Sequence, residues 1–177
     1  GPYQLRDALA AMLGMTPEDV TVTHSAGAGC YGHNGADDVA ADAALVARHF
    51  PERTVRVSWS RAEEFSSAPL APAGEVSVSA RLHSDGTPAL LSLDIVSGTH
   101  ARRPGTAPSG TLLAELHRDG TATLSDPIEL PEMHGFGGLR NAISPYSVPA
   151  QHARFNLVNM PGIRTSAMRG LGTHLNV

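Results

Sequence analysis

Two short stretches of this chain carry residues whose types and spacing suit anion or cofactor chemistry. The first is a glycine loop, Gly27-Ala28-Gly29-Cys30-Tyr31-Gly32-His33-Asn34-Gly35. It lies between the alternating, β-branched Val20-Thr21-Val22-Thr23-His24, which reads as a strand, and a helical pattern over 37–50. Strand, glycine loop and helix together make an anion site. Glycines let the backbone approach closely, and the free N–H groups of the first helical turn point at negative charge. Gly27-x-Gly29-x-x-Gly32 matches the bare dinucleotide pattern without its downstream acidic residue, so a plain tight turn accounts for it as well. The second stretch is Met168-Arg169-Gly170-Leu171-Gly172, where an arginine between a strand end and a helix start can clamp an anionic group. The plainer reading of Arg169 is a surface or structural arginine.

Other groups invite weaker readings. Cys30 and His33 are near each other in sequence, which is no evidence of a nucleophile–base geometry. The plainer reading of Cys30 is a small apolar side chain packed in the loop. The nine histidines are scattered and form no helical HxxxH pair, so no metal site is assigned. Asp37-Asp38 and Glu63-Glu64 are adjacent, and adjacent side chains point apart, so these pairs read as solvated helix ends rather than carboxylate dyads. Gly135-Phe136-Gly137-Gly138 is flanked by Pro131 and Pro145, lacks a periodic helix after it, and reads as loop.

The surrounding elements follow from periodicity. Leu5, Leu9 and Met12/Leu13 recur at helical spacing over 4–13, and Gly14 ends that helix. Thr16-Pro17-Glu18-Asp19 reads as a capped turn. Over 37–50, Val39, Ala43, Val46/Ala47 and Phe50 form an apolar stripe, and Pro51 stops the helix. Val55–Ser60 reads as a strand with Trp59 in the core. Glu75–His83 and Ala89–Ser97 read as a hairpin around Ser84-Asp85-Gly86-Thr87. Residues 151–160 read as a last strand, and Thr165–Val177 as a turn entering a helix. The expected fold is α+β: a mixed sheet built from 20–24, 55–60, the hairpin and 151–160, with the 37–50 helix packed on it. The 177 residues are expected to form a single domain in which 99–150 is a loop-rich insertion.

Composition narrows the function classes. All 13 basic residues are Arg, they are spread along the chain, and 17 acidic residues outnumber them. A nucleic-acid module needs a basic face, so none is expected here. A single cysteine excludes an internal disulfide framework. No apolar run approaches the roughly 20 residues of a membrane span, and Gly1-Pro2-Tyr3-Gln4 does not read as the start of a signal peptide.

Four collinear segments are the most specific feature. Residues 3–20, the loop with its helix start (Gly27–Val39), Thr54–Glu64 and Arg164–Thr173 together resemble the large, molybdenum-cofactor-binding subunit of the xanthine dehydrogenase/aldehyde oxidase family. The likeness is greatest to its isoquinoline 1-oxidoreductase and nicotinate dehydrogenase branch. The resemblance implies part of a molybdopterin-binding domain from a much longer bacterial polypeptide. It implies an oxidoreductase that hydroxylates an electron-poor carbon with oxygen derived from water. The molybdenum cofactor, in its dinucleotide form, would be held by the full subunit through its pterin and not by metal ligands of this chain. Iron–sulfur clusters would lie on a partner and none here.

By position, the resemblance places Gly29, Cys30, Tyr31 and Gly32 in the first cofactor loop and Gly170, Leu171 and Gly172 in the second. It gives Arg169 an electrostatic role toward substrate or developing charge. Tyr31-Gly32 and Arg169-Gly170 are expected to face one cleft. Gly35 stands where the xanthine-type enzymes have a purine-orienting Glu, which points to an aldehyde or N-heteroaromatic substrate. The family's general base belongs to a later segment. Expected partners are the remainder of the large subunit, an iron–sulfur electron-transfer subunit and a small-molecule substrate, with self-association through apolar faces left open. Activity of the chain alone is not expected. The alternative is a non-catalytic remnant, an assembly or binding module with the same fold. Compartment, cytoplasm or periplasm, is not assigned.

Overall fold

A computed structural model describes residues 1–27, 37–107, 110–118, 120, 123–129, 137–168 and 170–176. They form two compact units, each made of two chain segments: residues 1–69 with 102–126, and residues 70–101 with 127–177. The fold is α+β, with helices and a three-stranded mixed sheet.

The first unit is helical. Helix α1 (Pro2–Leu13) buries Leu5, Ala8, Leu9 and Met12, the stripe its spacing predicts. Gly14 closes it at φ 67°, where only glycine is free of strain, and the amides of Gly14 and Met15 take the carbonyls of Ala11 and Ala10. Helix α2 (Asp38–His49) runs where expected, but a different face is buried. Ala40, Ala41, Ala44 and Leu45 face the core, while Val46 and Phe50 are 42% and 51% exposed. Small alanine side chains let α2 come close to α1 and to α4 (Leu113–Arg118), its packing partners in this unit. The sequence expectation put a sheet under α2; within its unit it finds two helices. A short helix α3 (Arg61–Ser67) is fixed by a capping box. The Ser60 hydroxyl accepts from the Glu63 amide at 3.3 Å, and the Glu63 carboxylate accepts from the Ser60 amide at 2.6 Å.

Two expected strands are corrected here. Residues 20–24 and 55–60 are extended and bury alternate side chains, yet neither joins a sheet ladder among the described residues. Val20 and Val22 rest on the α1 cluster. Val55, Val57 and Trp59 are half-buried, and the Trp59 Nε1–H donates to Asp42 on α2 at 2.7 Å. Alternation reports which side of a segment is covered, not whether its backbone has a partner.

The second unit holds the sheet. Strands β1 (Gly74–Leu82) and β2 (Pro88–Ser97) form the predicted antiparallel hairpin, and β3 (Ala150–Leu157) pairs with β2 in parallel, in the order β1-β2-β3. At the hairpin turn the Asp85 carboxylate accepts from the Thr87 amide at 2.9 Å and from its hydroxyl at 2.6 Å, and Gly86 takes φ 84°. One sheet face is apolar, with Leu93 and Ile95 on β2, Val76 on β1 and Phe155 on β3 packing on Ala142 and Leu139. The other is polar. There Asp94 pairs with its register partner Arg154 and accepts from Asn156 at 2.6 Å. The Arg154 guanidinium holds the Asp94 carboxyl below its ordinary range.

Candidate functional site

The segment that enters the second glycine loop is locked on both sides. Leu70 N–H donates to the Arg164 carbonyl at 2.9 Å, and Ser166 N–H donates to the Leu70 carbonyl at 3.0 Å. Thr165 Oγ1 donates to the Thr99 carbonyl at 2.9 Å, and Ser166 bridges to Ala101. This is a ribbon of extended chain, all of it buried at Thr165 and Ser166. The chain then turns tightly. Leu171 takes φ 51° and Gly172 φ 89°, and a short 3-10 turn covers Thr173–Leu175. The far end is fastened by Asn176, whose Nδ2 donates to the carbonyls of Gly138 and Arg140 at 2.7 and 2.8 Å.

Gly170, Leu171 and Gly172 wall a cavity of about 270 Å³. Met168, His174 and Leu175 continue the same wall, and His100 with Ala71 and Pro72 forms the rest. The lining is mainly apolar and carries no carboxylate, lysine or arginine among the described residues. Three of the residues expected at a cofactor surface therefore come together on one cavity. The others, Gly29, Cys30, Tyr31, Gly32 and Arg169, lie outside the described residues, as does His33. Of the residues expected to face one cleft, only Gly170 has a described place.

The glycines also have packing reasons. A Cβ on Gly172 would fall far inside contact distance of the Gly137 carbonyl oxygen, and one on Gly170 would meet the His174 Cβ at 2.7 Å. Gly138 leaves room for the Phe155 ring. Gly137 and Gly138 thus sit in a turn, as the flanking prolines implied; Gly135 and Phe136 lie outside the described residues.

His100 is the residue that sequence reasoning missed. It is 5% exposed. Its ring meets Phe155 edge-on, with centroids 6.3 Å apart. Its backbone N–H donates to the Glu129 carboxylate at 3.1 Å. Its Nε2 lies 3.4 Å from Ser97 Oγ. The Ser97 hydroxyl already donates to the Ala73 carbonyl at 3.0 Å. With its one hydrogen used, Ser97 can only accept from the ring, which assigns the proton to Nε2. Nδ1 is left as a bare acceptor, buried and without a hydrogen-bond partner among the described residues. Burial also lowers the pKa of this imidazole. A histidine in an unpaired loop carries no periodic signal; only the fold brings it to the cavity.

Asp38 also departs from expectation. It is 3% exposed rather than solvated, and its Oδ1 accepts from the Leu113 amide at 2.8 Å, capping α4. Asp37, beside it, takes φ 57°, and burial raises its carboxyl pKa. Among the described residues no group of three or more His, Cys, Asp or Glu could hold a metal ion. No described helix is long and apolar enough to cross a membrane.

The chain is similar to a nicotinate dehydrogenase subunit of Pseudomonas putida. The two are 32% identical over 176 residues, which is 99% of this chain and 13% of that protein. The chain is a distant homologue of that protein and spans about an eighth of its length. No protein-family model matches the sequence, and no solved structure matches it.

Proposed function

We propose that this chain is the cofactor-loop segment of a molybdenum-containing oxidoreductase that hydroxylates an aldehyde or an N-heteroaromatic compound. The observation that carries the reading is the run of similarity to the nicotinate dehydrogenase subunit, which extends through both glycine loops. The geometry of the second loop agrees with it. Gly170, Leu171 and Gly172 line a mainly apolar cavity. That lining fits the flat ring of a pterin. The first loop, whose Gly29, Cys30, Tyr31 and Gly32 precede the N-terminus of α2, would take the anionic phosphate tail of the cofactor.

When bound, the molybdenum cofactor would supply the redox chemistry and the transferred oxygen. This chain's own residues would do three things. The turn at 170–172 would hold the ring, and the loop around Tyr31-Gly32 would bind the phosphate tail. The apolar wall at Met168, Leu171 and Leu175 would exclude water. Arg169 would stabilise negative charge developing on substrate. The electron acceptor would be an iron–sulfur partner, and the cofactor its dinucleotide form.

The test is to purify the whole protein that contains this chain and measure molybdenum by mass spectrometry and pterin by fluorescence after oxidation. One molybdenum and one pterin per chain are expected. Turnover of an aldehyde or an N-heteroaromatic with a dye as electron acceptor should fall at least tenfold in Arg169→Ala. Protein that folds without pterin would overturn the reading and leave a non-catalytic assembly or binding module.

A further inference from the structure

Strand β1 is an outer strand of the sheet. β2 takes one side of it, and no strand takes the other among the described residues. An edge of this kind pairs with another strand unless a proline, a lysine, a bulge or a cover guards it. β1 has no proline and no lysine, and its one irregularity falls at the far end, between Arg81 and Leu82. Glu75 and residues 77–82 are exposed. The strand is also complementary to itself. Val76, Val78 and Ala80 lie on the apolar face of the sheet, and Glu75, Ser77, Ser79 and Arg81 lie on the polar one. Set antiparallel to a copy of itself about an axis at Val78, the strand falls into a closed register. Val78 faces Val78, Val76 faces Ala80, Ser77 faces Ser79, and Glu75 faces Arg81. Apolar meets apolar, hydroxyl meets hydroxyl, and opposite charges meet at both ends. Neither Glu75 nor Arg81 has an ion-pair partner among the described residues. Beside the strand, on the apolar side, runs a groove of about 740 Å³ lined by Val76, Val78, Leu91, Ile143 and Tyr146, with Val78 63% and Tyr146 80% exposed.

We propose that β1 is the interface to a second copy of this chain, the two β1 strands pairing antiparallel about a two-fold axis at Val78. Two three-stranded sheets then join into one, in the order β3-β2-β1-β1-β2-β3. The axis stands perpendicular to the sheet, so apolar and polar faces each continue across the seam. The contact uses the same patch on both copies and therefore closes at two. Alternate backbone N–H and C=O groups of β1 gain the partners that β2 does not give them. The inference rests on the strand alone and not on the cofactor.

The experiment uses the whole protein that contains this chain and reads its mass by sedimentation equilibrium. Two copies are expected. Glu75→Arg sets arginine against arginine, and Arg81→Glu sets glutamate against glutamate. Each alone should raise the dimer dissociation constant at least tenfold. Mixed in equal amounts, the two variants should pair with each other, because both ends of the seam then join an arginine to a glutamate. The mixture, and the double variant on its own, should come within about threefold of the wild type. Val78→Glu sets two carboxylates together on the axis and should weaken the dimer at least tenfold, independently of the end charges. Circular dichroism checks that these exposed substitutions leave the fold intact. Wild-type protein that sediments as one copy overturns the proposal and assigns the edge to another strand of the same polypeptide. Dimers indifferent to the single reversals, or a mixture no tighter than its two components, place the contact on another surface and overturn it too. Molybdenum content is a separate readout. A dimer of this kind without pterin would sink the proposed function and leave the interface standing, and a single copy with full cofactor would do the reverse.

Discussion

Gly172 and Gly137 interlock: the α-carbon of the first lies so close to the carbonyl oxygen of the second that no β-carbon fits between them. Gly172 also holds φ 89° and is itself buried. Gly172→Ala combines a clash with backbone strain and should destabilise the sheet unit by about 2–4 kcal/mol. Urea unfolding followed by circular dichroism checks this. A loss below about 0.5 kcal/mol would mean that the glycine serves only the ligand and not the fold.

Asp38 joins α2 to the first turn of α4 through the Leu113 amide. Asp38→Ala should cost about 1–2 kcal/mol, the range of a lost helix cap, and α4 should fray. Asp38→Asn keeps an oxygen at that place and should recover most of the loss. Hydrogen exchange at Leu113 and its neighbours reads the difference directly. Unchanged protection in the alanine variant would refute the capping role.

His100 makes stability depend on pH. Burial lowers its folded pKa below the ordinary value of 6.5, so the unfolded chain binds the proton more readily. The unfolded state then holds more protons in that window, and stability rises with pH through it. The contribution is present above pH 6.5 and is lost as pH falls below it. His100→Asn should flatten this part of the profile between pH 7.5 and pH 5. Glu129, held on the His100 amide, is present in both proteins and provides the internal control. An identical slope in the variant would assign the acid sensitivity elsewhere.

Asp37 has the opposite sign. Burial raises its folded pKa above the ordinary 3.8, so the native state holds the proton more tightly. Stability therefore falls as pH rises through that window. Asp37→Asn keeps a residue type that accepts φ 57°. It should raise the melting temperature by a few degrees at pH 7 and by nothing at pH 3. A lower melting temperature at pH 7 would show that the charge serves the α2 N-terminus more than burial harms it.

Trp59 is the chain's single tryptophan and is hydrogen-bonded to Asp42, which makes it a reporter for the helical unit. Asp42→Ala should shift its emission and cost about 1.5–3 kcal/mol, as for a hydrogen bond to a charged acceptor. An unchanged spectrum would place the indole N–H in water instead.

What could be read from the sequence was local. The α1 stripe, Gly14 as its stop, the Asp85-Gly86 turn and the β3 segment all carry their own signal within a few residues. The face of α2 did not, because alanines and valines alternate along it and only tertiary contact chooses between them. The segments 20–24 and 55–60 show alternation without pairing, since one covered side produces the same pattern as a strand. Helix α4 has six residues, too few for a period. At the site, the glycines of 170–172 were legible through their motif, but His100 was not. Its chemistry comes from Ser97 three residues earlier and from Phe155 on another strand.

The two-segment make-up of both units has a consequence for synthesis. The helical unit waits for residues up to 126, and by then the β1–β2 hairpin has already left the ribosome without its third strand. Neither unit can be completed by a nascent chain in simple N-to-C order. The exposed hairpin must be kept from pairing with a neighbour until β3 arrives some 50 residues later. Conditions that slow translation between 98 and 150 should therefore raise the aggregated fraction more than the same delay near either end.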